Sequence, residues 1–340
     1  MKFDLAIVGA GLAGLTCAKH LQDAGYKLIV FDKARGIGGR ATTRRIEGTF
    51  VDRGLPYLQN QGELTQGFIA RLQQADIIQP WGDRFYTLSP NGELVATPQA
   101  TGYSPPRGVN AIAKFFAGTL DIRRNHRATL LLPSAQGTWQ LHFDNAPDVV
   151  QAKAVVLAIP APQAVALLQT LTPTSLSPEF ISKLQAVEYD PCITVAAGYS
   201  AARVQNLPWQ AVKIEQDEQL AWVIEDSSKC NDAVQPTFIF HSTPQFARDH
   251  LDTADLTSIG DRLRSRAAQL LLPWLDNPEW SMVHRWRYAR TCTPLNHPCW
   301  VASEPLPLVC CGDWCLGDRV EDALQSGVAA ARAIEAQFNH

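Results

Sequence analysis

At 340 residues, with 46% hydrophobic and 19% charged residues, the chain has an ordinary globular composition and a length that predicts about two domains. A net charge of −3 gives neither nucleic acid nor an anionic membrane a reason to bind, and no stretch reaches the roughly 20 apolar residues of a bilayer span. The eight cysteines are too scattered for a disulfide scaffold and Cys311/Cys315 lack the second pair of a zinc site, so reduced thiols, no metal and a cytoplasmic location are expected.

Phe3–Val8 reads as a buried strand that stops at Gly9, and Leu12–Ala24 as a helix closed by Gly25. The apolar run from Phe3 to Ala18 imitates a secretion signal, but its three glycines at phosphate-loop spacing read as strand, turn and helix instead. Lys27–Phe31 is a second strand ending at Asp32, which completes a strand–helix–strand unit of parallel pairing. In Gly9-Ala10-Gly11-Leu12-Ala13-Gly14, Gly9 allows the tight turn, Gly11 lets backbone N–H groups approach a pyrophosphate, and Gly14 lets the helix pack on the strand. Asp32 stands where a carboxylate bonds ribose hydroxyls. The motif alone fits NAD or FAD. Arg35, Gly38, Gly39 and Arg40 follow it as a glycine-rich basic bend able to return to the pyrophosphate, a continuation unusual in NAD dehydrogenases and one that points to FAD.

From Asp52 to Tyr103 the pattern loosens, with frequent Pro, Gly and aromatics. Val109–Gly118 reads as a helix with Asn110 as its cap, Leu120–Arg124 and Thr129–Leu132 as strands, and Trp139–Phe143 as a half-buried strand. Ala154–Ile159 has the continuous apolar character of a central parallel strand. Further strands are expected at Ile193–Gly198, Ala221–Glu225 and Phe238–His241, an amphipathic helix at Leu256–Leu272, a strand at Leu308–Cys311 and a last helix at Glu321–Phe338. At Cys311-Gly312-Asp313-Trp314 a strand ends in a small residue and an acid. There Asp313 can hold the ribityl or pyrophosphate part of a flavin, and the helix N-terminus near Val320–Asp322 can face the flavin pyrimidine edge. As a strand, His284-Arg285-Trp286-Arg287-Tyr288-Ala289-Arg290 puts His284, Trp286 and Tyr288 on one face, where the aromatics can stack on a flat ring; Arg285, Arg287 and Arg290 can meet phosphates, though not all from one face. The same run also reads as core aromatics with surface arginines.

These elements together resemble the FAD proteins of the amine oxidase group, and more closely renalase and its bacterial relatives. The resemblance rests on Phe31-Asp32-Lys33 leading to Gly38-Gly39-Arg40, on Val155–Pro162, on residues 284–290, and on Cys310–Cys315 with Arg319-Val320-Glu321. It runs nearly end to end. It implies an α/β fold with p-hydroxybenzoate hydroxylase-like topology: a Rossmann-like FAD-binding domain (1–55, 106–165 and 291–340) with an inserted α+β substrate domain (56–105 and 166–290). It implies noncovalent FAD held at Gly9, Ala10, Gly11, Ala13, Gly14, Asp32, Lys33, Arg35, Gly39, Arg40, Gly54, Ala128, Gly312, Asp313, Val320, Glu321 and Asp322. It implies a dihydronicotinamide dinucleotide as substrate, oxygen as acceptor, and Trp286, Tyr288 and His241 as catalytic-site residues. The implied reaction oxidises the 2- and 6-dihydro isomers of NAD(P)H to NAD(P)+ by hydride transfer to flavin N5, with H2O2 formed on reoxidation. The chain departs from its bacterial relatives at Leu55-Pro56, often Ala-Gln there, and from many amine oxidases in having Pro191-Cys192 and no lysine in the 191–198 strand. The alternatives are an amine oxidase or a carotenoid-desaturase-like flavoenzyme, and a non-catalytic FAD-binding protein.

Overall fold

The structure, a computed structural model, describes residues 2–97, 101–144, 146–172, 175–203, 207–230 and 233–339. Two sheets organise it. In the first, five parallel strands lie side by side in the spatial order Ile122–Arg124, Leu28–Asp32, Lys2–Val8, the C-terminal part of Ala146–Leu157, and Leu308–Cys310. Strands Trp139–Phe143 and Ala128–Pro133 continue this sheet antiparallel from the N-terminal part of Ala146–Leu157, and Trp300–Ala302 pairs with Leu308–Cys310. Both faces of the central strands are covered, which is why residues 5–8, 28–31 and 154–157 read as continuous apolar runs. On one face helices Leu12–Asp23 and Val320–Phe338 bury Leu15, Leu21, Ala330 and Ile334 against Leu5, Ile7, Val30 and Val156. The two helices touch closely because Gly327 has no side chain; a Cβ there would lie 2.5 Å from the Ala13 carbonyl oxygen. On the other face Trp139, Leu157 and Trp314 pack with helices Ala161–Leu168 and Pro178–Gln185.

The second sheet has the order Trp280–Thr293, Glu188–Gly198, Thr237–Ser242, Leu220–Glu225, Ala211–Ile214, Phe85–Leu88, Leu94–Ala96. Strand alternation divides its residues cleanly. Ile193, Val195, Phe238 and Phe240 bury one face under helix Leu256–Leu270, which contributes Ile259, Leu263 and Ala267. The opposite face carries Ala196, Ile224 and Ile239, and it is met by Val51 of the hairpin formed by Thr43–Ile46 and Thr49–Asp52. That hairpin joins the two halves of the molecule and positions the site described below.

The mixed α/β architecture and the Rossmann-like half are as the sequence implied. Asn110 is not a cap: the helix runs Asn110–Ala117 with Val109 at the cap position and no side-chain cap bond. Among the described residues no helix is long and apolar enough to cross a membrane, and no cluster of His, Cys, Asp or Glu is suited to hold a metal ion.

Candidate active site

The two glycine motifs come together. Gly38 N–H donates to the Ala10 carbonyl at 2.7 Å, and Gly11 and Gly38 form an isolated parallel bridge. Gly9 has φ +112°, and a Cβ there would lie 2.2 Å from the Ala158 carbonyl oxygen; one on Gly14 would lie 2.1 Å from the Gly9 carbonyl oxygen. A Cβ on Gly11 would meet nothing within 4 Å. Gly11 is also the N-cap of helix Leu12–Asp23, with no side-chain cap and no acid in the first turn. Unsatisfied N–H groups at the positive helix end therefore open on space that only a glycine leaves, which fits the pyrophosphate of FAD. Asp32 accepts hydrogen bonds from the N–H groups of Ala10 and Ala34, both at 2.8 Å; burial raises its pKa, and those two bonds oppose the rise. Ala128 begins the strand entered just after His126 N–H bonds the Asp32 carbonyl.

Several expected contacts are engaged within the protein. Arg40 donates to Asp313 at 2.5 Å and to the Ala289 carbonyl at 3.1 Å; burial works against its charge, and Asp313 more than offsets this. Arg35 is exposed, with its carbonyl bonded by Arg124, and Lys33 reaches Gln163 at 3.0 Å. The Glu321 carboxylate accepts from the N–H groups of Leu64 and Thr65 and so caps helix Glu63–Gln74, while Asp322 is bonded by Arg319. Gly312 N–H donates to Ser326 Oγ at 3.0 Å and ties the last strand to the last helix, which starts at Val320. Gly39 borders the loop, its position such that a Cβ would touch the Gly11 Cα at 3.4 Å. A Cβ on Gly54 would strike the Arg40 carbonyl oxygen at 2.0 Å, so the second motif and the strand Thr49–Asp52 approach there without room for a side chain.

The second sheet supplies the other wall. Trp222, His241, Thr194 and His284 stand side by side in register on four neighbouring strands, and Cys192 pairs with Trp286 in the next row. The rings of His284 and Trp286 are 4.3 Å apart and nearly perpendicular. Past a register shift between Asp190 and Cys192, Tyr288 packs edge-on to Tyr189 at 5.2 Å, and the Tyr189 hydroxyl accepts from Ala161 N–H. The expected strand over 284–290 is thus part of Trp280–Thr293, and His284 and Trp286 share a face.

Arg53, which sequence reasoning passed over, is the hub of this wall. Its backbone carbonyl accepts from Trp286 Nε1 at 3.1 Å and is also bonded by His241, and its Nη1 lies 3.2 Å from His284 Nδ1. Since a guanidinium only donates, the His284 Nδ1 is the acceptor and its ring proton sits on Nε2. Burial, then the charges of Arg53 and Arg44, lower the His284 pKa to about 4; burial and Lys229 lower that of His241 to about 4 as well. His241 Nε2 is shut off from solvent without a hydrogen-bond partner among the described residues. Both imidazoles are neutral near pH 7. Between about pH 4 and 6.5 the unfolded chain takes up protons that the folded one does not, so stability is expected to rise with pH across that window. The enclosed His241 alone accounts for about 3 kcal/mol. Denaturant unfolding measured across the window should show the rise, and a His241→Gln variant should flatten it; an unchanged slope in the variant would contradict this assignment.

The arginines expected to meet phosphates are bonded within the protein. Arg285 is bound to the carbonyls of Leu251 and Thr253, Arg287 to Asp252, and Arg290 to Asp318. Strand alternation turns Arg285 and Arg287 away from the face of His284 and Trp286, whereas Arg290, which has their parity but lies beyond the register shift, is held by Asp318. Beneath the hairpin lies a second feature the sequence concealed: Lys229, buried between Asp52 at 3.0 Å and Asp226. Asp52 also accepts from Thr43 Oγ1 at 2.6 Å and Val109 N–H at 2.9 Å, while Asp226 accepts from Asp52 N–H at 2.9 Å. Asp226 and Lys229 are a turn apart, but Asp52 is far away in sequence and nothing there links it to them.

The chain shares its family and its fold with known proteins. A model described as an NAD(P)-binding Rossmann-like domain matches residues 7–72, and one described as flavin containing amine oxidoreductase matches residues 81–335. An L-amino-acid oxidase of Siganus canaliculatus is 40% identical over 70 residues, 20% of this chain and 13% of that protein. A 15-cis-phytoene desaturase of Synechococcus elongatus is 46% identical over 52 residues, 15% of this chain and 11% of that protein. The chain thus matches only a small part of the length of these relatives. A putrescine oxidase structure with putrescine bound superimposes with a TM-score of 0.75 at 14% identity, covering 99% of both chains, a likeness of fold. With a family model covering most of its length, the chain belongs to the flavin containing amine oxidoreductases, FAD-dependent oxidoreductases that typically hold the cofactor noncovalently.

Proposed function

We propose that this chain is a renalase-like oxidase of dihydronicotinamide dinucleotides, converting the 2- and 6-dihydro isomers of NAD(P)H to NAD(P)+. The observation that carries the reading is the wall built on Arg53: aromatic, with neutral imidazoles, and with the positive charges of Arg53 and Arg44 acting on His284. Such a wall suits a flat, electron-rich ring on an anionic carrier and repels an ammonium group. When bound, FAD supplies the hydride acceptor at N5 and is reoxidised by O2 with formation of H2O2. The chain's own residues position and enclose. The Trp286 indole is oriented by its bond to the Arg53 carbonyl, and His284 by the Arg53 guanidinium, so the ring-stacking surface is fixed before the substrate arrives. Tyr288 packs on Tyr189, which lies in the field of Arg40 and Asp313, and His241 holds the Arg53 backbone. Oxidation of a dihydropyridine needs no strong base, in keeping with two imidazoles that stay neutral and a buried lysine already bound by two carboxylates.

The domain division is part of this proposal. The FAD-binding half is 1–55, 106–165 and 291–340 and the substrate half 56–105 and 166–290, with the change that helices Glu63–Gln74 and Pro178–Gln185 join the FAD-binding half because they pack there. We also propose a cytoplasmic location, where dinucleotide substrates and reduced cysteines coexist. The test is to incubate the flavin-loaded protein in air with 6-dihydroNAD. One NAD+ and one H2O2 per isomer consumed are expected; a persistent isomer, alongside oxidation of putrescine to an aldehyde, would replace this reading with amine oxidation.

A further inference from the structure

On the hairpin, Arg44 pairs with Val51, and cross-strand partners share a face. Val51 is buried against Ala196 and Ile239, so Arg44 and, two residues beyond Val51, Arg53 point to the sheet face that carries His284 and Trp286. Arg44 is exposed, so its charge stands at the open rim of the wall, and Arg53 stands further in. The Arg53 guanidinium bonds His284, while its Nε is buried without a hydrogen-bond partner among the described residues. A desolvated guanidinium N–H left unbonded is unfavourable, and an anionic oxygen is the partner that relieves it best. The other arginines of the neighbourhood are committed elsewhere: Arg40 to Asp313, Arg285 to two carbonyls, Arg287 to Asp252 and Arg290 to Asp318.

We infer that Arg44 and Arg53 form the subsite that binds a phosphoryl group of the electron donor and thereby set the specificity for nucleotide-borne rings over free rings and amines. The inference rests on the dihydronicotinamide reading and extends it: Trp286 and His284 take the ring, and the two arginines take its anionic carrier. Attraction between a guanidinium at a partly exposed rim and a phosphate is screened by salt, which gives the subsite a second signature.

The test uses flavin-loaded protein without oxygen. Flavin reduction is followed with 6-dihydroNAD and with the uncharged 6-dihydro-N-methylnicotinamide, in wild type, Arg44→Glu and Arg53→Gln. The ratio of half-saturating concentrations, dinucleotide to free ring, is expected to rise about tenfold in Arg44→Glu and in Arg53→Gln, and in wild type it should rise with ionic strength. Equal change for both donors, or none, would overturn the subsite. A parallel titration of flavin-loaded protein with ADP separates the two proposals. If neither ring reduces the flavin but ADP binds about tenfold more weakly to Arg44→Glu than to wild type, the subsite stands and the oxidation reading falls. If ADP binds all three proteins alike or not at all, or if an alkylammonium donor reduces wild type faster than Arg44→Glu, the subsite is overturned.

Discussion

Replacing Lys229 with methionine is expected to destabilise the flavin-loaded protein by about 3–5 kcal/mol, the usual result of removing one partner from a buried ionic group. Lys229, Asp226 and Asp52 are exposed by only 4%, 4% and 2%. Burial opposes the lysine's charge, and Asp226 and Asp52 more than offset it. Without Lys229, two carboxylates would face each other in a dry interior, and burial with the nearby Asp52 already pushes Asp226 up to about 6. The methylene stem of the lysine is matched in volume by methionine, so the loss reports charge rather than a cavity. Urea unfolding measures it. The triple variant with Asp52→Asn and Asp226→Asn should recover much of the stability, because the charges then leave together; a single-variant loss below about 1 kcal/mol would show that the group is solvated or already neutral. Since Asp52 directly precedes Arg53, the Lys229 variant should also weaken the aromatic wall, and tryptophan emission should shift as the Trp286 bond to the Arg53 carbonyl loosens.

The glycine loop gives the second large effect, and its two halves separate folding from cofactor binding. Gly14→Ala places a methyl 2.1 Å from the Gly9 carbonyl oxygen and 2.9 Å from the Ala158 Cβ, so the strand–turn–helix must shift and stability falls by about 1–3 kcal/mol or more. Gly11→Val meets nothing of the protein within 4 Å of its Cβ, so the fold should hold. Its side chain instead enters the space in front of the bare helix N-terminus, and FAD affinity should drop about 10- to 100-fold. Flavin retained after gel filtration and the apo-protein melting temperature together decide it. Gly11→Val protein that keeps its flavin at wild-type strength would contradict the placement of the pyrophosphate on this loop.

Much of the fold was legible because local signals agreed with tertiary ones. Gly9, Gly11, Gly14 and Asp32 announce a strand–turn–helix–strand that the structure contains, and Ala154–Ile159 reads as a central strand because both faces of its sheet are covered. The strand over 284–290 was legible from alternation, and so was the shared face of His284 and Trp286; the register shift that sets Tyr288 against Tyr189 was not. Asn110 stands inside the helix and not at its cap because the hairpin, far away in sequence, takes up the N–H groups of Val109 and Asn110 through Asp52 and Thr43. Alternation itself turns Arg285 and Arg287 from the face of His284 and Trp286, while the tie of Arg290 to Asp318 depends on a distant segment. Arg53 and the Lys229 group were invisible for a different reason: each owes its role to partners on other elements, His284, Trp286 and His241 for the first and Asp52 for the second. Glu321 likewise sits in a motif that reads as a cofactor contact, while its carboxylate caps a helix that begins at Glu63.

The most direct measurement of the proposed activity is anaerobic mixing of the flavin-loaded protein with 2- and 6-dihydroNAD(P), ordinary NAD(P)H and putrescine, following the long-wavelength flavin absorbance. Bleaching by the two off-position isomers, much faster than by NAD(P)H or putrescine, is the result this account predicts. Bleaching by putrescine at the greater rate, or by none of the dihydronicotinamides, would contradict it and leave the flavin fold with a different donor.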